Sequence, residues 1–459
     1  MVDERFLLAG SLFTAAYAMI PRGRICQRRP RAVNEVIASV ELRQKRKVMN
    51  LRANDPDFTE PTTFLEPNYL DSWRRARREH PIIRLESERH GQYWSVTSHA
   101  PARQILEKAE IFISSEGMRI GGHQSSVGAA ANRMLVVADG ASHQRIRAAH
   151  SPWFTAKNAK ALGEVLRDQI EKLIEPLITG ESIDVVDKLA DAIPTCVMGQ
   201  MMGTPAEETE LLSELVRSSF DETTLDDPAR KIQQAAASSE VFSYFTELVA
   251  WRAEEPGEDI VSLLTQASMS EGSLSHDEVL LNCDGLVNGG LGTSRHAVSA
   301  AILAFASNPE QWQRLRADRT LVRSAVEEIL RWASPPMHVM RTVSADVEID
   351  GVKMKAGDRV VIWIPSCNRD ETVFDNPDEF RIDRRPNPHL SLGGGPHYCI
   401  GAAIGRTEIR VLLEVLLERV ARMDLSDAPV PSASAFLNGF DKLEVRLFPL
   451  SQVQVVEPQ

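Results

Sequence analysis

From about Thr59 to Phe448 the apolar residues recur mostly at helical spacing. Tyr69–Glu79 reads as a charged amphipathic helix, and further helices are predicted over Asn158–Leu177, Glu207–Ser219, Lys231–Ala253 and Thr320–Trp332. Ser275–Ser307 is a long, mostly apolar helix, and Ser275 and Glu278 have the spacing of a capping box at its start. Ile400–Met423 completes the helical set. Two stretches, Ile82–Leu85 and Tyr93–Val96, alternate like a short hairpin with Gly91 in its turn. Val347–Ile349, Val352–Met354 and Arg359–Ile364 read as strands, with Gly351 and Gly357 in the turns. No repeat, low-complexity tract or strong linker divides this region. The predicted architecture is mainly α with a small β lobe. It forms one domain over residues 53–452, between an N-terminal extension (1–52) and a C-terminal tail (453–459).

The extension has its own pattern. Phe6–Ile20 is apolar and is followed by Arg22, Arg24, Arg28, Arg29 and Arg31. The stretch falls short of the roughly 20 residues that a membrane span needs. Asp3 and Glu4 precede it and the basic residues follow it, the reverse of a signal peptide. A short anchor, an appendage and an upstream extension of the gene remain as readings. The last two are favoured, because Met49 and the polar, proline-marked Asn50–Pro61 make a natural start.

Hydrophobic residues make up 43% of the chain, enough for a sizeable core, and the formal net charge is −12. That charge argues against broad nucleic-acid binding. The five cysteines, Cys26, Cys196, Cys283, Cys367 and Cys399, form no CxxC pair and no zinc-like spacing with histidine. A reducing compartment, the cytoplasm, is the simplest reading.

Cys399 follows the glycine-rich run Leu392-Gly393-Gly394-Gly395-Pro396-His397-Tyr398 and precedes Ile400-Gly401 at the head of a predicted helix. Backbone N–H groups at a helix start favour negative charge, so the sulfur is expected as a thiolate. A single thiolate suits an iron whose equatorial positions a porphyrin already fills. The alternative at this point is a buried structural cysteine. Glu328 and Arg331 stand at i and i+3 on a predicted helix and can pair.

Taken together, these residues resemble those of a bacterial cytochrome P450, a haem-thiolate monooxygenase, from about Asp55 to Leu447. Glu328-Ile329-Leu330-Arg331 resembles the family's E-x-x-R, and Asn368-Arg369-Asp370 with Phe374 and Pro377 resembles its meander. Arg384 fits the arginine that completes a buried Glu-Arg-Arg network. Asp139 through His143 to Arg147 resembles D-x-x-x-H-x-x-x-R, and the run before Cys399 resembles the ligand signature.

The resemblance implies the cytochrome P450 fold and haem b (iron protoporphyrin IX). Cys399 would be the axial ligand, and His143, Arg147, Arg341 and His397 would neutralise the propionates. Leu392, Gly393 and Gly401 would shape the cofactor loop, and Gly290 would lie against the cofactor from the long helix. The resemblance also implies ferredoxin and ferredoxin reductase as partners and a small organic substrate, with neither nucleic acid nor membrane involved. Hydroxylation in secondary-metabolite tailoring is expected. The alternatives are oxidative C–C, C–O or C–N coupling, a peroxide-driven reaction, or a haem-binding module without catalysis. Substrate contacts are expected in Met118–Arg133, Ser213–Thr223, near Val287 and Gly290, in Met337–Val339, and at Phe436 and Leu437. Gly121–Ser126, small and polar, reads as a mobile loop.

Two departures stand out. The long helix usually carries an acid beside an alcohol, but here Gly292 precedes Thr293 and Ser294. No Asp or Glu occurs from Gly285 through Pro309, and Asp284, nine residues before Thr293, lies on the opposite face at about 100° per residue. Thr293 and Ser294 remain as hydroxyl donors, with water, substrate or His296 left to relay protons; His296 reads more readily as a packing or solvent-facing residue. The second departure is Leu392, where the family usually has phenylalanine. Leucine keeps the apolar cover and loses the aromatic edge. Leu392→Phe is therefore expected to shift the haem reduction potential with haem content unchanged; an unmoved potential in a redox titration would make the departure neutral.

Overall fold

A computed structural model of the protein describes residues 56–66, 68–122, 124–219, 228–269 and 273–452. The readings of 1–52, of Met49 and of 453–459 lie outside the described residues, as do His123 and the 220–223 part of the Ser213–Thr223 segment.

The long helix, His276–Ser307, organises the molecule. Its start is the expected capping box: Ser275 N–H donates to Glu278 Oε2 at 2.7 Å, and Glu278 N–H to Ser275 Oγ at 3.2 Å. Its C-terminal half is buried almost all round, from His296 through Phe305. Helices Ala156–Ile174, Ala192–Met202, Val322–Ala333 and Ala402–Arg419 contribute to the same continuous apolar core. Among the described residues no helix is long and apolar enough to cross a membrane.

The β lobe is a five-stranded sheet. In spatial order its strands are Ile82–Ser87, Gly91–Val96, Arg359–Trp363, His338–Val343 and Phe112–Ile113. The first two form the predicted hairpin, pairing Ile82 with Val96 through Ser87 with Gly91. Gly91, at φ +70°, is the first residue of the returning strand. One face of the sheet packs on an aromatic cluster of Phe58, Phe64, Trp73 and Trp363.

Three local expectations are corrected. The last helix runs Ala402–Arg419, not to Met423; Val420–Leu425 is a strand paired with Glu444–Pro449. Val420 is β-branched, and the pairing that recruits it comes from a distant segment, so tertiary context overrides the helical period. Gln124–Ala130, which overlaps the expected mobile loop Gly121–Ser126 at 124–126, is helical. His338–Val343, whose first residues lie in the predicted substrate segment Met337–Val339, is an interior strand paired with Arg359–Trp363, where the sequence reading assigned no strand.

Candidate active site

Glu328 and Arg331 are both fully buried on helix Val322–Ala333. Arg331 grips the carboxylate in two-point fashion, Nε to Oε2 and Nη2 to Oε1, both at 2.8 Å. Arg384 Nε adds contacts at 3.1 and 3.2 Å, Asn387 Nδ2 one at 3.1 Å, and the Arg381 N–H one at 2.9 Å. The remaining guanidinium donors reach backbone oxygens. Arg331 binds those of Asn368, Pro377 and Glu379; Arg384 binds those of Asp375, Asn376 and Glu379. An otherwise irregular stretch of chain is thus tied to one helix. Removing one member of such a buried set costs about 3–5 kcal/mol, because the remaining charges are left uncompensated.

The constraint passes on to the cysteine loop. Asn368 Nδ2 donates to Ser334 Oγ and Ser391 Oγ, both at 2.8 Å, and its Oδ1 accepts from the Leu390 N–H at 2.7 Å. Ser391 Oγ donates to Leu330 O at 2.6 Å. The next residue, Leu392, packs on the main core, and its carbonyl accepts the Cys399 N–H at 2.9 Å. Gly393 and Gly395 take φ values of +71° and +60°, and a Cβ on Gly395 would lie 2.3 Å from the Leu106 carbonyl oxygen. From the other side, Arg406 bonds Glu327 at 2.7 and 3.0 Å and the Tyr398 hydroxyl at 2.9 Å.

Cys399 is accessible yet densely surrounded, as at the floor of a recess. Burial pushes its thiol up, against the opposing pull of the Gly401 N–H, Arg147 and Arg406. The helix begins at Ala402, with Gly401 as its N-cap, so Cys399 stands outside its first turn. The helix start therefore does not by itself make the thiolate expected from the sequence; a bound cation has to. Among the described residues no group of three or more His, Cys, Asp or Glu is arranged to hold a metal ion. Cys399 offers a single donor.

Near this loop lies a cluster of basic side chains. The His143 and His397 rings are 4.3 Å apart between centroids. Arg341 is buried, and its one side-chain hydrogen bond among the described residues is Nη1 to Met340 O at 2.8 Å. Arg147 Nη2 donates to Tyr398 O at 2.9 Å. Burial, then repulsion from His397 and Arg147, pushes His143 down to about 4. Burial lowers Arg341 to about 10, with Asp139 opposing. Burial also lowers His397, with added repulsion from Arg341. The His143 Nε2 atom is buried without a partner. Asp139 is the one acid here, 3.8 Å from His397 Nε2, and its oxygens accept from the Ser114 and Ser115 N–H groups at 2.8–3.1 Å. Buried cations in this arrangement call for an anion. An iron porphyrin fits both requirements: two carboxylates for the cluster and one open axial position for Cys399.

The long helix crosses the site with Gly289, Gly290, Gly292, Thr293 and Ser294. Thr293 Oγ1 donates to Gly289 O at 2.8 Å. The side of Gly290 where a Cβ would stand is occupied by Met198 Cε, 2.7 Å away, the end of a flexible side chain. At Gly292 the matching space abuts Leu437 Cδ1 at 3.0 Å. Ser294, expected beside Thr293 as a donor, turns to the buried carboxyl of Glu408 on the helix behind Cys399. Burial pushes Glu408 up to about 7, the Ser294 bond opposing. His296 is a packing residue. It is buried, seated where any side chain on Gly439 would stand, and pushed down to about 3 by burial and Arg295.

Two residues escaped the sequence reading. Glu408 is the lone acid among the buried positions Ile404, Thr407, Val411 and Leu412, a signal visible in the helical period. His338 left no such signal. Buried in its strand, it donates from Nδ1 to Ala435 O at 2.7 Å, and its Nε2 accepts the Ile120 N–H at 3.0 Å. Burial holds it neutral, down to about 4. It joins three expected substrate segments, around Met118, Met337 and Phe436. Backbone bonds of 2.8 Å support it, Met340 N–H to Met118 O and Met337 N–H to Phe436 O. Ser213 is not brought there: it is buried, and its hydroxyl accepts from Thr195 Oγ1 at 3.2 Å.

The cytochrome P450 family model matches residues 71–423. Cytochrome P450 NovI of Streptomyces niveus is 30% identical over 393 residues, 85% of this chain and 96% of that protein. A steroid C26-monooxygenase of Mycolicibacterium smegmatis is 31% identical, over 85% of this chain and 93% of that protein. Among solved structures, P450 OxyD, involved in the biosynthesis of vancomycin-type antibiotics, matches with a TM-score of 0.78 and 34% identity, over 86% of this chain and 99% of its own. The chain belongs to the cytochrome P450 family and has its fold. It is a haem-thiolate monooxygenase whose cofactor is haem b.

Glu327, which ties the cysteine helix to Val322–Ala333, generates a pH prediction. Burial alone would raise its carboxyl, but bonds from His389 and Arg406 outweigh burial and bring it from 4.5 down to about 2. A depressed carboxylate contributes stability that is present above pH 4.5 and is lost as pH falls through about 2. The loss is on the order of 3 kcal/mol. Denaturant unfolding at pH 5 and pH 3 is expected to show a smaller acid loss in Glu327→Gln than in the parent. Equal losses would remove Glu327 from the account.

Proposed function

We propose that this protein is a cytoplasmic monooxygenase that hydroxylates a small organic substrate in secondary-metabolite tailoring. Cys399 would hold the haem iron through its thiolate, and His143, Arg147, Arg341 and His397 would receive the propionates. The observation that carries the site is the buried basic cluster with an orphaned His143 Nε2 beside a single accessible thiol. The biosynthetic setting draws on the likeness to NovI and OxyD. Ferredoxin, reduced by ferredoxin reductase, is the electron source that the family resemblance implies.

Bound haem supplies the activation of dioxygen. The chain supplies the rest. Leu392 covers the thiolate side with apolar surface, Gly393 at φ +71° lets the loop turn, and the Gly401 N–H points at the sulfur. On the opposite side Thr293 is the hydroxyl that can leave Gly289 O and donate into the site, while Ser294 stays with Glu408. No carboxylate follows from position 292, so protons arrive through water or the substrate. That absence favours a second reading, oxidative coupling of two substrate positions, in which the substrate itself supplies the protons.

A reduced, CO-treated spectrum tests the class: a Soret band at the thiolate-ligated position is expected, and its absence rejects the reading. Turnover with labelled dioxygen and the ferredoxin pair, compared with peroxide, separates insertion from coupling and from peroxide chemistry. Gly292→Glu is expected to raise the fraction of NAD(P)H electrons recovered in product, and Gly292→Gln, of equal size, is not. The same coupling in both variants and the parent would end the proton-delivery argument.

A further inference from the structure

A second cavity, of about 160 Å³ and partly open to solvent, lies apart from the haem site. Its walls come from the short helix Pro61–Leu65, the end of helix Val322–Ala333 and the turn 431–440. None of Cys399, His143, Arg147, Arg341, His397 or Thr293 lines it. Phe64, Tyr69, Trp332 and Phe440 give it aromatic sides, and the Phe64 and Tyr69 rings meet edge to face at 5.2 Å. An apolar cavity of roughly 150 Å³ is large enough to take a benzene ring.

The one charged residue in this lining is Arg369, whose side chain is 13% exposed. Its Nη2 donates to the Trp332 carbonyl at 2.9 Å and its Nη1 to that of Pro365 at 3.3 Å. A guanidinium carries five N–H groups, and the others find no hydrogen-bond acceptor among the described residues. Asp378 stands 3.8 Å from Nε, beyond hydrogen-bond distance, and is itself half exposed and bonded to Arg74 Nη2 at 2.8 Å. Burial, then repulsion from Arg331, lowers Arg369 to about 10. The Tyr69 hydroxyl, largely buried, feels the Arg369 charge and makes no hydrogen bond among the described residues. In a chain of net charge −12, this cavity thus has a cation and no acid in its lining. A poorly compensated, mostly buried cation facing an aromatic cavity calls for an anion with an apolar body.

We propose that this cavity is a binding site for a small aromatic carboxylate, separate from the site of oxidation. The ring lies between the aromatic sides, the carboxylate accepts from the free N–H groups of Arg369, and the Tyr69 hydroxyl adds a further hydrogen bond. The planar guanidinium suits a carboxylate, which it can hold at two points. One cation and mostly apolar walls match a single negative charge. A neutral ring of the same size leaves Arg369 uncompensated and is bound less tightly for that reason. Leu437, which lines the cavity, also stands 3.0 Å from where a Gly292 Cβ would be, so one side chain borders both this site and the long helix. The ligand itself is held away from the haem and is not consumed.

The test is equilibrium dialysis of radiolabelled benzoate against haem-loaded full-length protein. 4-Phenylimidazole, present at saturation of its Soret shift, occupies the haem site throughout. The parent is expected to retain about one benzoate per chain and to bind benzyl alcohol, measured in competition, at least about tenfold more weakly. Arg369→Met is expected to weaken benzoate at least about tenfold and to leave benzyl alcohol unchanged. Tyr69→Phe, which keeps the ring and removes the hydroxyl, is expected to weaken benzoate about fivefold. Ser432→Trp, which fills the cavity from the turn, is expected to weaken both probes. Each variant's haem content and reduced CO spectrum are compared with the parent's; where Arg369→Met does not fold, Tyr69→Phe and Ser432→Trp decide. A parent that holds no benzoate, or releases it to 4-phenylimidazole, overturns the proposal. So does benzoate affinity that is the same in the parent and in the folded variants.

Discussion

One buried carboxylate, Glu328, carries the geometry of the whole thiolate side. Taken out of water alone it would be strongly destabilising. It is tolerated because two guanidinium groups, an amide and a backbone N–H converge on it. Those guanidinium groups are in turn satisfied by backbone oxygens from 368–379, a stretch with little regular structure of its own. The arrangement is demanding in geometry, since each donor has one place to go. Its effect reaches Ser391, and through Leu392 the backbone of Cys399, without any of the network touching the sulfur.

The site that this frame presents is electrostatically incomplete. Burial drives His143, His397 and Arg341 toward their neutral forms, and it drives Cys399 toward the thiol. Each shift is reversed by a partner of opposite charge. A porphyrin with a cationic iron and two carboxylates supplies both signs at once, which explains why basic residues from three separate parts of the chain gather beside one cysteine. Asp139 is placed to orient rather than to neutralise, its oxygens already engaged by the Ser114 and Ser115 N–H groups.

Across the site from Cys399 the chain departs from its relatives' pattern. Leu437 closes the space beside Gly292, Ser294 is drawn away by Glu408, and His296 is locked against Gly439. The His338 clamp holds the segments around Ile120 and Ala435 at a fixed spacing through two neutral hydrogen bonds.

Local pattern was enough for the elements whose own residues specify them. The helix Tyr69–Glu79, the hairpin, the capping box of the long helix and the short strands at Val347–Ile349 and Val352–Met354 all follow from periodicity, glycine turns and side chain-to-backbone bonds within a few residues. The site residues Cys399, Glu328, Arg331 and Arg384 were legible because their spacing is unusual for residues with no common task. Contacts between distant segments were not legible. Val420 became a strand through a partner more than twenty residues away, Ser294 turned to a carboxyl on another helix, and His338 found acceptor and donor in two separate loops. Sequence alone determined the family, the cofactor and the missing acid, because these depend on which residues are present and in what order. Tertiary structure alone decided which hydroxyl turns to Glu408 and which buried polar atoms are left without a partner, because those depend on desolvation and on neighbours that the chain brings together only when folded.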